Sequence, residues 1–184
     1  MLPKAVIFSC GNYALSASVQ AFITCQLDCC NSLLVGLMAC DVSHLQSVQN
    51  AAGRLFGCVS RNDSVEHVLG DKLHGLPIVQ RINFKVGVFG YKAINGLAAP
   101  QLKDLFVTVS SISASSRNRS AVHGDFMIPS VTKNITYRRQ SFTVAEPTLW
   151  NSHPLEIRSS SSLPMFRSRL KTFLFREAYN ISVS

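Results

Sequence analysis

Ile78-Val-Gln-Arg-Ile-Asn-Phe-Lys-Val-Gly-Val-Phe-Gly-Tyr-Lys-Ala-Ile-Asn95 is apolar nearly all the way round. Ile82, Phe84, Val86 and Val88 alternate as a strand would, and Gly87 and Gly90 each weaken a helix by about 1 kcal/mol relative to Ala. Length decides between the two, because strands average about 5–6 residues and this run is far longer. The stretch therefore predicts one long helix, opened after the His74-Gly-Leu-Pro77 turn and closed by Gly96. A helix without a polar face belongs at the centre of its domain. The predicted fold is mainly α, with a bundle of about five helices over residues 1–108 arranged around this one.

Upstream, residues 14–37 read as helix with a break near Asp28-Cys-Cys-Asn31. A second helix follows Asp41, with Asp41 or Ser43 as N-cap and Gly57 at its end. Leu45, Val48, Ala52, Leu55 and Phe56 fall on one helical face, while Gln46, Gln49, Asn50 and Arg54 take the other. Asp63-Ser-Val-Glu66 has the pattern of a capping box, opening a short helix to Leu69 that Gly70 stops. Pro100 suits the first turn of a short helix through Phe106.

Downstream, the composition changes. Residues 109–120 are rich in Ser and Arg and form a linker or exposed loop, because such a stretch offers nothing to bury. Short strands are predicted near residues 126–128 and 135–144, making a β-hairpin, with a helical turn over Ala145–Trp150. Ser159–Ser162 then caps a last helix. Its Leu163, Phe166, Leu170, Phe173 and Leu174 share one face, and Arg167, Arg169, Lys171 and Arg176 lie off that stripe. Residues 121–184 thus form a small hairpin-plus-helix region ending in a basic amphipathic helix.

Apolar residues make up 47% of the chain and charged ones 15%, which is a core-forming composition rather than a disordered one. The net charge of +8 is uneven: eight Lys/Arg against six Asp/Glu through residue 110, then ten against four. Such an excess attracts polyanions, nucleic acid first. Residues 13–40 are apolar, but Gln20, Gln26, Asp28 and Asn31 interrupt them, so a buried helix pair is expected and not a membrane span. The N-terminus carries one Lys and a short apolar run, too weak for a signal peptide. A chain that opens almost directly into core-like sequence reads as a truncation. All six Cys lie between Cys10 and Cys58 among helix-like residues. They are expected to be reduced core thiols of an intracellular protein, cytoplasmic or nuclear, since no Cys-x2-Cys pair with finger spacing is present.

Four blocks carry a resemblance. They are Leu27-Asp-Cys-Cys-Asn-Ser-Leu-Leu-Val-Gly-Leu37, Leu45-Gln-Ser-Val-Gln-Asn-Ala-Ala-Gly-Arg-Leu55, and Leu73-His-Gly-Leu-Pro77 with Arg81–Lys85 and Tyr91–Ala98. The fourth runs from Ser141 through Trp150 to Phe175. In this order they resemble the region after the polymerase palm in LINE-type (non-LTR, jockey-related) retrotransposon reverse transcriptases, across about residues 20–178. The resemblance implies a thumb-like or connection region over residues 1–108. The chain departs from the family pattern at Cys29, Gly75 and His153, where Tyr, Trp and Leu are usual. Where such a position is buried, losing the bulky group costs roughly 2–5 kcal/mol.

That family extends primers on two metal ions held by clustered Asp carboxylates. This chain has no two adjacent acidic residues, no Gly-x-Ser-x-Gly elbow and no phosphate-binding glycine loop. No catalytic residue, metal site or cofactor is expected, so the chain on its own is not an enzyme. His44 and His67 read as surface or cap residues, and His123 and His153 as loop residues. Nucleic-acid contact is the remaining chemistry. Arg138, Arg139, Arg158, Arg167, Arg169, Lys171 and Arg176 are the candidates for phosphate contact, with RNA or single-stranded DNA as partner. Phe142, Trp150 and Phe166 have the faces to stack on unpaired bases. For Trp150 and Phe166, packing in the core is the stronger expectation. The alternatives are a protein-interaction or self-associating module using residues 13–106, and a decaying element relic without function.

Overall fold

The computed structural model describes residues 25–29, 34–100, 107–109, 125–128 and 142–180. It is mainly helical. In chain order the helices are α1 (Cys25–Asp28), α2 (Ala39–Gly57), a π-helical turn (Val68–Lys72), α3 (Ile78–Ile94), α4 (Phe142–Ser152), α5 (Leu155–Arg158) and α6 (Leu163–Tyr179). Among the described residues no helix is long and apolar enough to cross a membrane. Residues 101–106 of the predicted Pro100–Phe106 helix and most of the Ser-rich segment lie outside the described residues, as do residues 14–24 and 30–33 of the predicted 14–37 helix.

The long run at the centre of the sequence is the helix its length required. α3 ends at Ile94 with Asn95 as its C-cap, and Gly96 follows with φ +69°, the left-handed backbone that glycine adopts without cost. The helix packs against α2, α4 and α6, so it is central. Gly87 and Gly90 lower its propensity but permit this packing. A Cβ at Gly90 would overlap the Glu146 carboxylate and stand 2.9 Å from Trp150 Cε3; one at Gly87 would stand 2.9 Å from Leu170 Cδ2. The two glycines let α4 and α6 approach α3 closely.

α2 starts earlier than predicted. Met38 is the N-cap residue, in extended conformation, and its carbonyl accepts from the N–H groups of Asp41 and Val42. Asp41 lies in the first turn, where its charge suits the helix dipole. Ser43 lies further in, donating to the Cys40 carbonyl. Gly57 is the last helical residue, as expected, but the left-handed position belongs to Cys58, φ +51°. The inward face is also rotated from the predicted one. Gln49, Ala52 and Gly53 are buried, whereas Val48 and Leu55 are 50% and 67% exposed. The reason is polar: Gln49 Nε2 donates to the Leu76 carbonyl at 2.8 Å, and Gln46 Oε1 accepts from the Ile78 N–H at 2.9 Å. These glutamines satisfy backbone groups at the start of α3, a cap supplied from a different helix.

The third predicted helix is present but does not stop at Gly70. It continues as the π-helical turn, with Gly70 inside it against the Tyr179 ring. The predicted hairpin is corrected. Residues 135–141 lie outside the described residues, and Phe142–Val144 are the start of α4 rather than the end of a strand. Ala145–Trp150 belong to the same helix. Phe126 pairs instead with Thr108 in one isolated antiparallel bridge. Asn151 holds that segment as a neighbouring strand would: its Oδ1 accepts from the Phe126 N–H and its Nδ2 donates to the Phe126 carbonyl, both at 2.9 Å.

α6 carries the stripe read from its sequence. Phe166, Leu170 and Leu174 are buried and Leu163 and Phe173 half-buried. Ser162 is the N-cap residue and Asn180 ends the helix at φ +49°. The main core joins this stripe to Val88 and Tyr91 of α3 and Trp150 of α4. Phe166 stacks on Tyr91 at 4.5 Å and on Trp150 at 5.8 Å between ring centroids. Both rings are therefore core, which removes them as base-stacking surfaces. Cys25, Cys29, Cys40 and Cys58 are all exposed, against the expectation of buried thiols. Cys25 and Cys40 lie in the first turns of α1 and α2, and Cys29 and Cys58 follow the last residues of those helices, where side chains are open to solvent.

Candidate nucleic-acid interface

The basic side chains named from the sequence fall into three groups. Arg138 and Arg139 lie outside the described residues. Arg158 and Arg169 are engaged in the fold. Arg158 Nη1 donates to Asp125 Oδ1 at 2.5 Å and its Nε to the His153 carbonyl at 3.0 Å. Its side chain is only 8% exposed, so it fastens the 125–128 segment to the α4–α5 corner. Arg169 Nη1 donates to the Glu156 carbonyl at 2.8 Å, which ties α6 to α5, although the residue remains exposed. Arg167, Lys171 and Arg176 form the third group. All three are exposed on α6, and none makes an ion pair with a described residue.

α6 owes this arrangement to its periodicity. The stripe Phe166, Leu170 and Leu174 turns inward, and the helical period carries Arg167, Lys171 and Arg176 off it to the exposed side. Arg176 lies in the last turn, where a cation suits the negative end of the helix dipole.

The structure also assembles a basic cleft that spacing along the sequence does not show. Lys85 of α3 and Lys171 of α6 line one hollow of about 420 Å³ with Phe84 and the 73–76 turn. Arg81 borders it, held by two 2.8 Å hydrogen bonds to Asp28 and one to the Leu76 carbonyl. Tyr179 at the end of α6 donates to the Gly75 carbonyl at 2.8 Å and so fixes the turn against the helix. Burial first, then the charges of Glu66 and Asp71, hold the Tyr179 phenol above its ordinary pKa, so it remains a donor. Gly75 is buried at the cleft and His74 is exposed beside it. Lys85 was passed over because, on its own helix, it is one solvated lysine among apolar residues.

Two further ionisable groups are buried. Glu146 is fully buried, and neither carboxyl oxygen has a hydrogen-bond partner. Burial pushes its pKa up to about 8. His153, read from the sequence as a loop residue, is 3% exposed just past the end of α4 and packs edge-on against Phe173. Burial, and then the Arg158 charge, lower its pKa to about 4, and its Nε2 has no partner. Glu146 and His153 both face α3, against Gly90 and Gly87 respectively, and lie on the opposite side of α4 from solvent. They are packing positions filled by polar groups. Among the described residues no three His, Cys, Asp or Glu side chains gather as metal ligands do.

Comparison with protein-family models, with curated proteins and with solved structures finds no match to this chain.

Proposed function

We propose that this chain is a non-catalytic module derived from the post-palm region of a non-LTR retrotransposon reverse transcriptase, and that it grips the backbone of RNA or single-stranded DNA. The four ordered sequence blocks support the derivation. The grip is supported by one observation above the rest: Arg167, Lys171 and Arg176 stand exposed along α6 with no ion pair to a described residue. Side chains so placed neutralise phosphates and release counterions, which makes binding weaken steeply with salt. No extension or cleavage of a strand is assigned to the chain, because its acidic residues are scattered and none are adjacent in sequence.

Filter binding of labelled RNA and single-stranded DNA across a salt series tests the grip. Replacing Arg167, Lys171 and Arg176 together by Gln is expected to flatten the slope of log K on log salt by about 2, at about 0.7 per lost contact. Absence of binding at low salt, or binding indifferent to salt, overturns the reading.

A second reading is favoured by a different surface. Leu34, Val35, Leu37, Val42 and Val79 line an apolar groove of about 500 Å³ between α2 and α3. Val79 and Leu37 in its lining are 46% and 38% exposed. Exposed apolar area of this kind suits a protein partner or a second copy of the chain. Light scattering separates the readings: a salt-insensitive oligomer supports self-association, and a monomer that binds RNA supports the first.

A further inference from the structure

We propose that the cleft between α3, α6 and the 73–76 turn is a nucleotide site for a single strand, with a backbone phosphate between Lys85 and Lys171 and the attached base over Gly75 against Phe84. The proposal rests on the nucleic-acid reading above and moves its centre from one helix to a three-sided pocket. Lys85 and Lys171 come from different helices and line the same hollow of about 420 Å³. Two ammonium groups from separate helices held around one space make a site for an anion between them. Among the described residues lining the cleft the one carboxylate is Asp28, and it is engaged by Arg81 through two 2.8 Å bonds, so its charge is offset locally.

Gly75, which has no side chain, is one of the residues lining this hollow. A Cβ there would stand 3.4 Å from the Leu69 carbonyl oxygen and 3.9 Å from Arg81 Nη2, both ordinary contacts, so a side chain can begin at this position without a clash. Phe84 offers one aromatic wall. His74 beside it is held at φ +45°, a left-handed backbone that costs a non-glycine residue energy and that gathers at ligand-binding turns. A second hollow of about 270 Å³ adjoins, sharing His74 and Lys171 and adding Phe175 and Arg176. Two linked hollows, each with a cation and an aromatic edge, match successive nucleotides of one strand. Paired bases of a duplex cannot enter such hollows without leaving their stack.

Fluorescence anisotropy with a short labelled oligo-dT, and with an abasic oligomer of the same length, tests the site. Lys85→Gln is expected to weaken oligo-dT binding about three- to tenfold and to reduce the salt slope by about 0.7, whereas Lys72→Gln, on the π-helical turn and outside the cleft, leaves both unchanged. Gly75→Leu fills the hollow and is expected to weaken oligo-dT about tenfold while leaving the abasic oligomer unaffected. Thermal unfolding of each variant shows that it is folded, and Lys85→Gln, an exposed change, carries the test if Gly75→Leu is not. Equal binding of oligo-dT and the abasic oligomer, or a Lys85→Gln affinity equal to that of Lys72→Gln, overturns the site. If binding then still depends on Arg167 and Arg176, the backbone grip stands without it; if wild-type protein binds neither oligomer at low salt, both fall.

Discussion

Glu146 and His153 are polar groups in positions built for apolar ones, and their pH responses have opposite signs. Glu146 stays protonated in the fold up to about pH 8 but ionises near 4.5 in the unfolded chain. Unfolding therefore releases a proton between these values, and stability falls as pH rises through them, by on the order of 5 kcal/mol in all. His153 stays neutral in the fold down to about pH 4, while in the unfolded chain it takes up a proton near 6.5. Its contribution is present above 6.5 and is lost as pH falls toward 4. Between 4.5 and 6.5 the two slopes oppose, and above 6.5 only that of Glu146 remains. Urea midpoints of the wild-type chain are expected to be level across the first interval and to drop from 6.5 to 8. Glu146→Gln should abolish that drop and expose a decline on the acid side. His153→Leu, which removes an unpartnered ring nitrogen from the core, should stabilise the fold by about 1–3 kcal/mol at neutral pH. Neither burial was legible in the sequence. Pro154 after His153 marks a loop, and a lone Glu in a helix normally points to water.

At the level of elements, two buried glycines separate packing from vacancy. Gly90→Ala drives a methyl into the Glu146 carboxylate and the Trp150 ring of α4. It is expected to cost about 1–3 kcal/mol by equilibrium denaturation. Gly75→Ala meets only ordinary contacts and should be neutral or stabilise by up to about 1 kcal/mol, because it restricts the unfolded chain. The junction of α2 and α3 depends on side chains rather than on apolar area alone. Gln46→Ala leaves the first N–H of α3 without its partner and should cost about 1 kcal/mol in the same measurement. This junction is why the apolar pattern of α2 misassigned its inner face. Periodicity weighs Leu45, Val48 and Leu55 as core, but the glutamines on the other side have specific acceptors and donors to meet, and the helix turns toward them. The π-helical turn was hidden for a similar reason, since Gly70 reads locally as a stop and only the tertiary structure brings the Tyr179 ring to within 3.3 Å of where its Cβ would stand.

Across the whole molecule, one aromatic cluster connects α3, α4 and α6 through Tyr91, Trp150 and Phe166. Tyr91 also donates to the Ser160 carbonyl at 2.9 Å, fixing the segment that leads into α6. Phe166→Ala is expected to cost about 3–5 kcal/mol and to lower a single cooperative thermal transition. Two separate transitions in calorimetry would show instead that α6 unfolds independently of α3. The sequence by itself determined the mainly helical character, the span of α3, the start and inner stripe of α6, and the outward basic residues of that helix. Each is a property of one segment, set by the period at which its own apolar residues recur. Tertiary structure decided which face of α2 turns inward, that Phe126 pairs with Thr108, that Glu146 and His153 are buried, and that Lys85 stands beside Lys171. Those outcomes depend on which distant segment meets which. A helical period records that a face will be covered, but it carries no information about the element that covers it.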